Sequence, residues 1–320
     1  MRATARAQPN IALIKYWGKR DRVNNLPAVG SISVTLADLY TEMCVSLDET
    51  LASDRLVVNE LENAAMLPRI SACLDNVVGR SRRYAQIDSR CNFPVAAGLA
   101  SSASSFAATV VAASAASGST SSTAELASLA GRSSGSAARS LYGGFVELRN
   151  TPGDVSVETI LDGDQWPLKV IIAVTSEGPK PVNSGEAMEI SRKTSPFYSS
   201  WLENQSDDLD VARAAIREQD FEKLAGVCEH NCLKMHSVMW ASRPAIVYWN
   251  SATLNCMQTV RDLRSTGSAV FFTIDAGPQL KAICLESDEQ RVREALSATT
   301  GVVDVLSSGL GDGARLLESA

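Results

Sequence analysis

The stretch Asn92-Phe-Pro94-Val-Ala-Ala-Gly98-Leu-Ala100-Ser101-Ser102-Ala103-Ser104 decides how this chain is read. An approach through Pro94 leads to a glycine and then into small residues with good helix propensity. Gly98 lets the backbone turn sharply and come close to a ligand. Ser101 or Ser102 can cap the helix that follows. The first N–H groups of that helix, and the positive end of its dipole, then face outward and suit phosphate oxygens. No Gly-Lys-Ser/Thr closes the loop, and it does not follow the Gly-x-Gly-x-x-Gly pattern. Taken alone, the segment fits an ordinary capped helix almost as well.

Outward from this loop, a second Ser/Gly turn follows at Ser133-Ser134-Gly-Ser136-Ala-Ala-Arg139. Its hydroxyls and a planar guanidinium can grip a carboxylate or phosphate; a helix cap with a surface Arg is the alternative. The Ser- and Ala-rich run up to Ser140 could be a flexible linker. Against that, Phe106, Val110, Val111, Leu126, Leu129 and Leu141 recur at helical intervals. Small side chains in such helices allow close packing.

The flanks alternate between strand and helix patterns. Residues 10–17 predict a mostly buried strand carrying one Lys, 18–30 a polar turn region, 31–48 a strand or strand pair, and 61–80 an amphipathic helix. Short strands follow at 145–148 and 169–174. Helices are expected over 195–216, 219–240 and 245–264, and a strand over 269–274 runs into Asp275-Ala-Gly-Pro278. A strand at 282–285, a helix at 289–297 and a strand at 302–306 complete the chain. The length allows one large core or two lobes, and a lobe boundary near 176–184 would divide the chain into residues 1–178 and 179–320.

Composition excludes several classes. With 320 residues and 45% apolar content, the chain can bury a sizeable core. Its net charge of −6 disfavours nucleic-acid wrapping. An anionic ligand must therefore be held by a local cluster of cations and N–H groups. The first residues lack the apolar core of a signal peptide, and no run reaches the roughly 18 apolar residues of a membrane span. The seven Cys residues, odd in number, are expected to be reduced thiols in a cytoplasmic protein.

Five segments together resemble the mevalonate diphosphate decarboxylase family. They are Asn10-Ile-Ala-Leu-Ile-Lys15-Tyr-Trp-Gly-Lys19-Arg-Asp, Ser31-Ile-Ser-Val-Thr-Leu, the loop of residues 92–103, Ser134-Gly-Ser136-Ala-Ala-Arg139, and Phe272-Thr-Ile-Asp275-Ala-Gly-Pro278. The likeness runs from about residue 8 to about residue 285. It places the chain in the superfamily of small-molecule kinases that act on galactose, homoserine, mevalonate and phosphomevalonate, and so implies a two-lobed α+β fold with a deep active-site cleft. The implied reaction transfers the γ-phosphoryl of ATP to the C3 hydroxyl of mevalonate 5-diphosphate. The C3 phosphate then leaves with CO2, giving isopentenyl diphosphate. Mg2+ is expected with ATP, held mainly by phosphate oxygens, with no protein ligand named.

The resemblance also implies roles. Asp275 orients the hydroxyl or accepts its proton, Lys15 stabilises developing charge, and Arg139 holds the substrate carboxylate. Tyr16, Lys19, Ser134, Ser136, Ser184 and Met188 bind the substrate. Pro94, Gly98, Ala100, Ser101, Ser102 and Ser104 bind the nucleotide phosphates. A small-molecule phosphorylated mevalonate is the expected partner, without nucleic acid or membrane, and a homodimer is implied.

Two departures touch the substrate end. Val29-Gly30-Ser31 stands where the family has Asn-Ser-Ser, and Ser184-Gly185-Glu186 lacks the usual Thr or Arg after the serines. A Glu186 facing the terminal phosphate would favour one phosphate over two. Mevalonate 5-phosphate as substrate is therefore kept as an alternative; a mevalonate 3-kinase and, from a different class, an inactive ligand-binding homologue are carried beside it. Separately, Cys228, Cys232 and His236 share a helical face, with His230 nearby. That spacing suits zinc, but burial of Cys explains it more simply.

Overall fold

The computed structural model describes residues 1–93, 101–178 and 181–319. Pro94, Gly98 and Ala100 lie outside the described residues.

Three sheets organise the chain. The first runs in the order Arg315–Ser319 (β16), Arg2–Ala7 (β1), Thr41–Asp48 (β6), Tyr84–Cys91 (β9), Arg55–Val58 (β7) and Leu61–Glu62 (β8). The second runs Asp154–Leu161 (β11), Phe145–Thr151 (β10), Ser31–Thr35 (β5) and Asn10–Ile14 (β2). The third runs Val270–Ile274 (β13), Leu280–Leu285 (β14), Leu168–Val174 (β12) and Asp304–Ser308 (β15). A short hairpin joins Lys19–Asp21 (β3) to Leu26–Pro27 (β4) within the expected turn region. Strand β12 pairs with β14 and β15, so the third sheet draws on both sides of residue 178.

The helices are Leu67–Val78 (α1), Ser101–Ala116 (α2), Thr123–Ser133 (α3), Ser184–Thr194 (α4), Tyr198–Glu203 (α5), Gln205–Glu218 (α6), Phe221–Trp240 (α7), Ser251–Ser265 (α8) and Glu289–Ser297 (α9). The Ser/Ala-rich run is thus two packed helices and not a linker. Helix α2 lies across β1 and β6 and is buried almost all round, which its alanines and those of β1 (Ala3, Ala5, Ala7) permit. Ser122 and Glu125 form a capping box at the start of α3.

Several expected boundaries shift for local reasons. The helix expected over 61–80 begins only at Leu67, with Pro68 in its first turn, because 61–62 pair with β7. The helix expected over 195–216 is broken at Asn204 into α5 and α6. Helix α8 starts at Ser251, where Asn250 caps it, later than the expected residue 245.

Two strands fix the site. All five residues of β2 and all five of β13 are buried. Ile11, Leu13, Phe145, Trp166, Phe271 and Ile283 pack between the second and third sheets with α6 and α7. Phe145 stacks on Trp166 with ring centroids 5.4 Å apart. Each such side chain contributes about 1.5–3 kcal/mol through burial. The polar face of β5 (Ser31, Ser33, Thr35) is buried as well, and turns toward Arg139.

Candidate active site

Strands β2 and β13 end side by side. The first residue beyond β2 is Lys15, and the first beyond β13 is Asp275. Lys15 is fully buried, and its ammonium donates to Ala12 O (2.9 Å) and to Asp275 Oδ1 (2.7 Å). A second buried ammonium, from Lys281 on β14, lies 3.3 Å from Asp275 Oδ2. Burial alone would raise the Asp275 carboxyl, but the two lysines outweigh it and hold it well below the usual carboxylate range. The side chain keeps about 25% of its surface open to the cleft. Lys281 was missed in the sequence. Its signal is a lone Lys in the apolar run Leu280-Lys-Ala-Ile-Cys-Leu, directly opposite Thr273 in the sheet.

Facing this pair is Arg139, 2% exposed, in the 3-10 turn Ala137–Leu141. Its guanidinium donates to Ser33 Oγ (2.9 Å), Ser31 Oγ (2.5 Å) and Asn10 Oδ1 (3.1 Å). Among the described residues, no carboxylate is in ion-pair contact with it. Burial pushes it down to about 10, opposed by Asp275. It remains a cation at neutral pH, oriented by neutral partners and available to an anion. Asn10 also donates to Ser136 O and Ser140 Oγ, tying the serine turn to β2.

A cleft of about 750 Å³ opens over these groups. Lys15, Tyr16, Lys19, Ser102, Ser134, Ser136, Arg139, Ser184, Met188 and Asp275 all line it. Tyr16 has its hydroxyl buried with no hydrogen-bond partner among the described residues, and burial raises its pKa. A Cβ on Gly135 would fall 2.6 Å from the Tyr16 hydroxyl and 2.7–2.8 Å from its ring, so the glycine between Ser134 and Ser136 is what admits that side chain. Ser101 begins α2, and its carbonyl accepts from Ser104 and Ser105. Ser104 is turned inward to Thr41 Oγ1 (2.7 Å) and does not line the cleft.

The outer end of the cleft is cationic despite the chain's net negative charge. Arg22, Arg69 and Arg132 join Lys19 there. Burial, then Arg22 and Arg69, lower the Lys19 pKa. These arginines were not singled out in the sequence, because they sit in three separate segments and only the fold assembles them. Glu186 does not line this cleft. Its carboxylate accepts from Asn183 Nδ2 (3.2 Å) and borders an adjoining hollow that shares Lys19, Arg22, Gly185 and Met188 with the cleft. Gly30 is turned away too, since a Cβ there would meet Leu148 O at 2.9 Å and Leu209 at 3.0 Å. Gly185 does line the cleft, its Cβ position 3.8 Å from Lys19 Nζ.

The Cys/His face of α7 is committed to the strand beneath it. Ile274 N donates to Cys232 Sγ (3.2 Å), and His236 Nε2 lies 3.2 Å from Ile274 O. Burial pushes His236 down to about 3 and the Cys228 thiol well up. Among the described residues, no group of three or more His, Cys, Asp or Glu side chains is placed to hold a metal ion.

Residues 7–157 match the diphosphomevalonate decarboxylase-like N-terminal domain, and residues 170–309 match the mevalonate 5-diphosphate decarboxylase C-terminal domain. The chain belongs to the diphosphomevalonate decarboxylase family. The diphosphomevalonate decarboxylase of Aspergillus fumigatus is 35% identical, over 94% of this chain and 81% of its own length. The crystal structure of mevalonate diphosphate decarboxylase from Staphylococcus aureus superposes with a TM-score of 0.92 at 35% identity, covering 99% of this chain and 98% of that one. A structure described as MDDEF in complex with MVAPP, AMPPCP and magnesium also reaches 0.92, at 32% identity and 100% and 99% coverage. Within the diphosphomevalonate decarboxylase family, the α+β fold with its two halves around a cleft is thus this chain's fold.

Proposed function

We propose that this chain catalyses ATP-dependent decarboxylation of mevalonate 5-diphosphate to isopentenyl diphosphate, ADP, phosphate and CO2. The observation that carries the reading is Asp275, held between Lys15 and Lys281 and facing an Arg139 that has no carboxylate in ion-pair contact among the described residues. The ligands named for the MDDEF complex, MVAPP, AMPPCP and magnesium, are in keeping with it.

A tertiary alcohol is a poor nucleophile, and hydroxide is a poor leaving group. Asp275 accepts the hydrogen bond of the C3 hydroxyl and aims its oxygen at the γ-phosphorus. A carboxylate with so depressed a pKa is a weak base, which suits a loose phosphoryl transfer, where little proton removal is needed before the bond to phosphorus forms. Lys15 neutralises charge as the phosphoryl group arrives. Arg139 holds the substrate carboxylate. When the C3 phosphate departs with its bonding electrons, the carboxylate carbon's bonding pair closes the alkene and CO2 is released.

The cationic rim of Lys19, Arg22, Arg69 and Arg132 faces the 5-diphosphate, with Tyr16, Ser134, Ser136, Ser184 and Met188 around it. Ser101 and Ser102, at the start of α2, serve the nucleotide phosphates. The donor set also fits Mg2+ with few protein ligands. Asp275 is already engaged by two ammoniums, so nucleotide oxygens, water and the Ser102 hydroxyl would hold the ion. Bound there, Mg2+ neutralises phosphate charge.

By family likeness alone, the working form is a homodimer in the cytoplasm. No helix among the described residues is long and apolar enough to cross a membrane. The activity is tested by offering mevalonate, its 5-phosphate and its 5-diphosphate separately with ATP and Mg2+, following ADP and CO2 together. Coupled release from the diphosphate supports the reading. Release only from the monophosphate, or ADP without CO2, overturns it in favour of the monophosphate enzyme or the 3-kinase.

A further inference from the structure

Lys15 sits where β2 has stopped pairing, since the last register pair with β5 is Ile14 with Ile32. Its backbone N–H and C=O are buried and need other partners. Two side-chain amides supply both. Lys15 N donates to Asn231 Oδ1 of α7 (2.7 Å), and Lys15 O accepts from Gln205 Nε2 of α6 (2.8 Å). The amides also bond each other, Asn231 Nδ2 to Gln205 Oε1 at 2.9 Å. Asn231 Nδ2 reaches Asp208 Oδ2 as well (2.6 Å), and Lys234 Nζ holds that same oxygen (2.6 Å). Gln205 and Asn231 are at most 1% exposed.

This closed arrangement leaves each amide one orientation. Flipping either would set donor against donor or acceptor against acceptor at a fully buried position. Simple satisfaction of a buried peptide would need only one partner per group. Here the two partners are locked to each other, so the peptide planes on both sides of Lys15 are fixed together. A small roll of this backbone would carry Nζ away from Asp275, because the ammonium lies at the end of a long stem.

We propose that Gln205 and Asn231 are a positioning pair that sets the Lys15 ammonium against Asp275 and the incoming phosphoryl group. The inference rests on Lys15 serving the proposed reaction.

The test is a double-mutant cycle of Asn231→Ala with Lys15→Met, read in single turnovers with ATP, Mg2+ and mevalonate 5-diphosphate. In the Lys15 enzyme, Asn231→Ala should lower the rate by about 10- to 100-fold, with KM for either substrate moving less than about twofold. In the Lys15→Met enzyme, the same change should cost less than about twofold. An equal loss in both backgrounds, or no loss in a folded variant, overturns the proposal. Gln205→Met, of similar volume, gives the same readout should Asn231→Ala fail to fold. Hydrogen exchange at the Lys15 amide needs no turnover and separates this inference from the activity. Exchange at least about tenfold faster in Asn231→Ala, in a chain otherwise protected, is expected. Unchanged exchange would overturn the pair's role even if the enzyme turns over as proposed.

Discussion

The Lys15 ammonium lies 2.7 Å from Asp275 Oδ1, a contact spanning 260 residues of sequence between the ends of two strands from different sheets. With Lys281 on the other carboxylate oxygen, it makes a group of two cations and one anion. The net positive charge suits a site that must accept a phosphoryl group beside a carboxylate.

Removing the carboxylate should therefore cost stability as well as activity. Asp275→Asn leaves two buried ammoniums facing each other. Breaking a buried ion pair costs about 3–5 kcal/mol, and the partial exposure of Asp275 reduces this to about 1–3 kcal/mol. Urea unfolding without ligand should show that loss, and Lys281→Met should recover part of it in the double variant.

The pH dependence follows from the sign of the shift. The folded-state pKa of Asp275 lies below the unfolded value of about 3.9. Its contribution to stability is present above that value and is lost only as pH falls through the lower, folded one. The Asp275 carboxyl 13C shift should stay at its ionised position from pH 8 down to about 4. A midpoint between about 5 and 7 would mean that the lysines do not hold it as described.

Gly135 gives a packing prediction. A Cβ at 2.6 Å from the Tyr16 hydroxyl and 2.7–2.8 Å from its ring must displace that side chain. Gly135→Ala should cost about 1–3 kcal/mol and raise KM for the mevalonate substrate, with KM for ATP less affected. Kinetics and a melting curve on the same preparation check both.

At the cationic rim, Arg69→Gln and Arg132→Gln should each raise KM for the diphosphate by about tenfold, equivalent to roughly 1.4 kcal/mol, and by less for the monophosphate. Gly185→Ala adds a methyl in the first turn of α4 at ordinary contact distance from Asn183 Oδ1 (3.4 Å) and Lys19 Nζ (3.8 Å). It should stabilise by about 0.5–1 kcal/mol with kcat unchanged. A large loss of diphosphate turnover in Gly185→Ala would show that the missing side chain matters.

The candidate residues now gathered in the cleft were legible in the sequence through motif resemblance more than through local physics. Lys15, Arg139 and Asp275 are singled out by the family resemblance of the motifs that carry them; read alone, the Asp before Ala-Gly-Pro is a turn residue, the Lys in an apolar strand a structural one, and the Arg after Ser-Gly-Ser a surface one as readily as a ligand. What escaped notice depends on tertiary contact. Lys281 is a single residue on a neighbouring strand, and Arg22, Arg69 and Arg132 come from three separate elements. Gln205 and Asn231 are ordinary amides until β2 ends beside them. Strand β1 was unassigned because its inward residues are alanines, which carry little strand signal. Glu186 lies in the first turn of α4, in the hollow that shares Lys19 and Arg22 with the cleft, so its charge stays beside the cationic rim as its place in the sequence suggests.

Magnesium should be needed as a partner of the nucleotide. EDTA should abolish turnover, and added Mg2+ should restore it fully. Restoration by Zn2+ in its place would reopen the Cys/His face of α7, where Cys232 and His236 are bonded to Ile274.

The central claim is that Asp275 serves phosphoryl transfer and that decarboxylation follows from it. The most direct test measures ADP and 14CO2 in the same single-turnover reaction with mevalonate 5-diphosphate, for the wild type and for Asp275→Asn. The account predicts one CO2 per ADP in the wild type, and in the variant a joint fall in both of at least about 10³-fold, with nucleotide binding retained. ADP formation that survives in the variant while CO2 is lost, or full activity without the carboxylate, would contradict it.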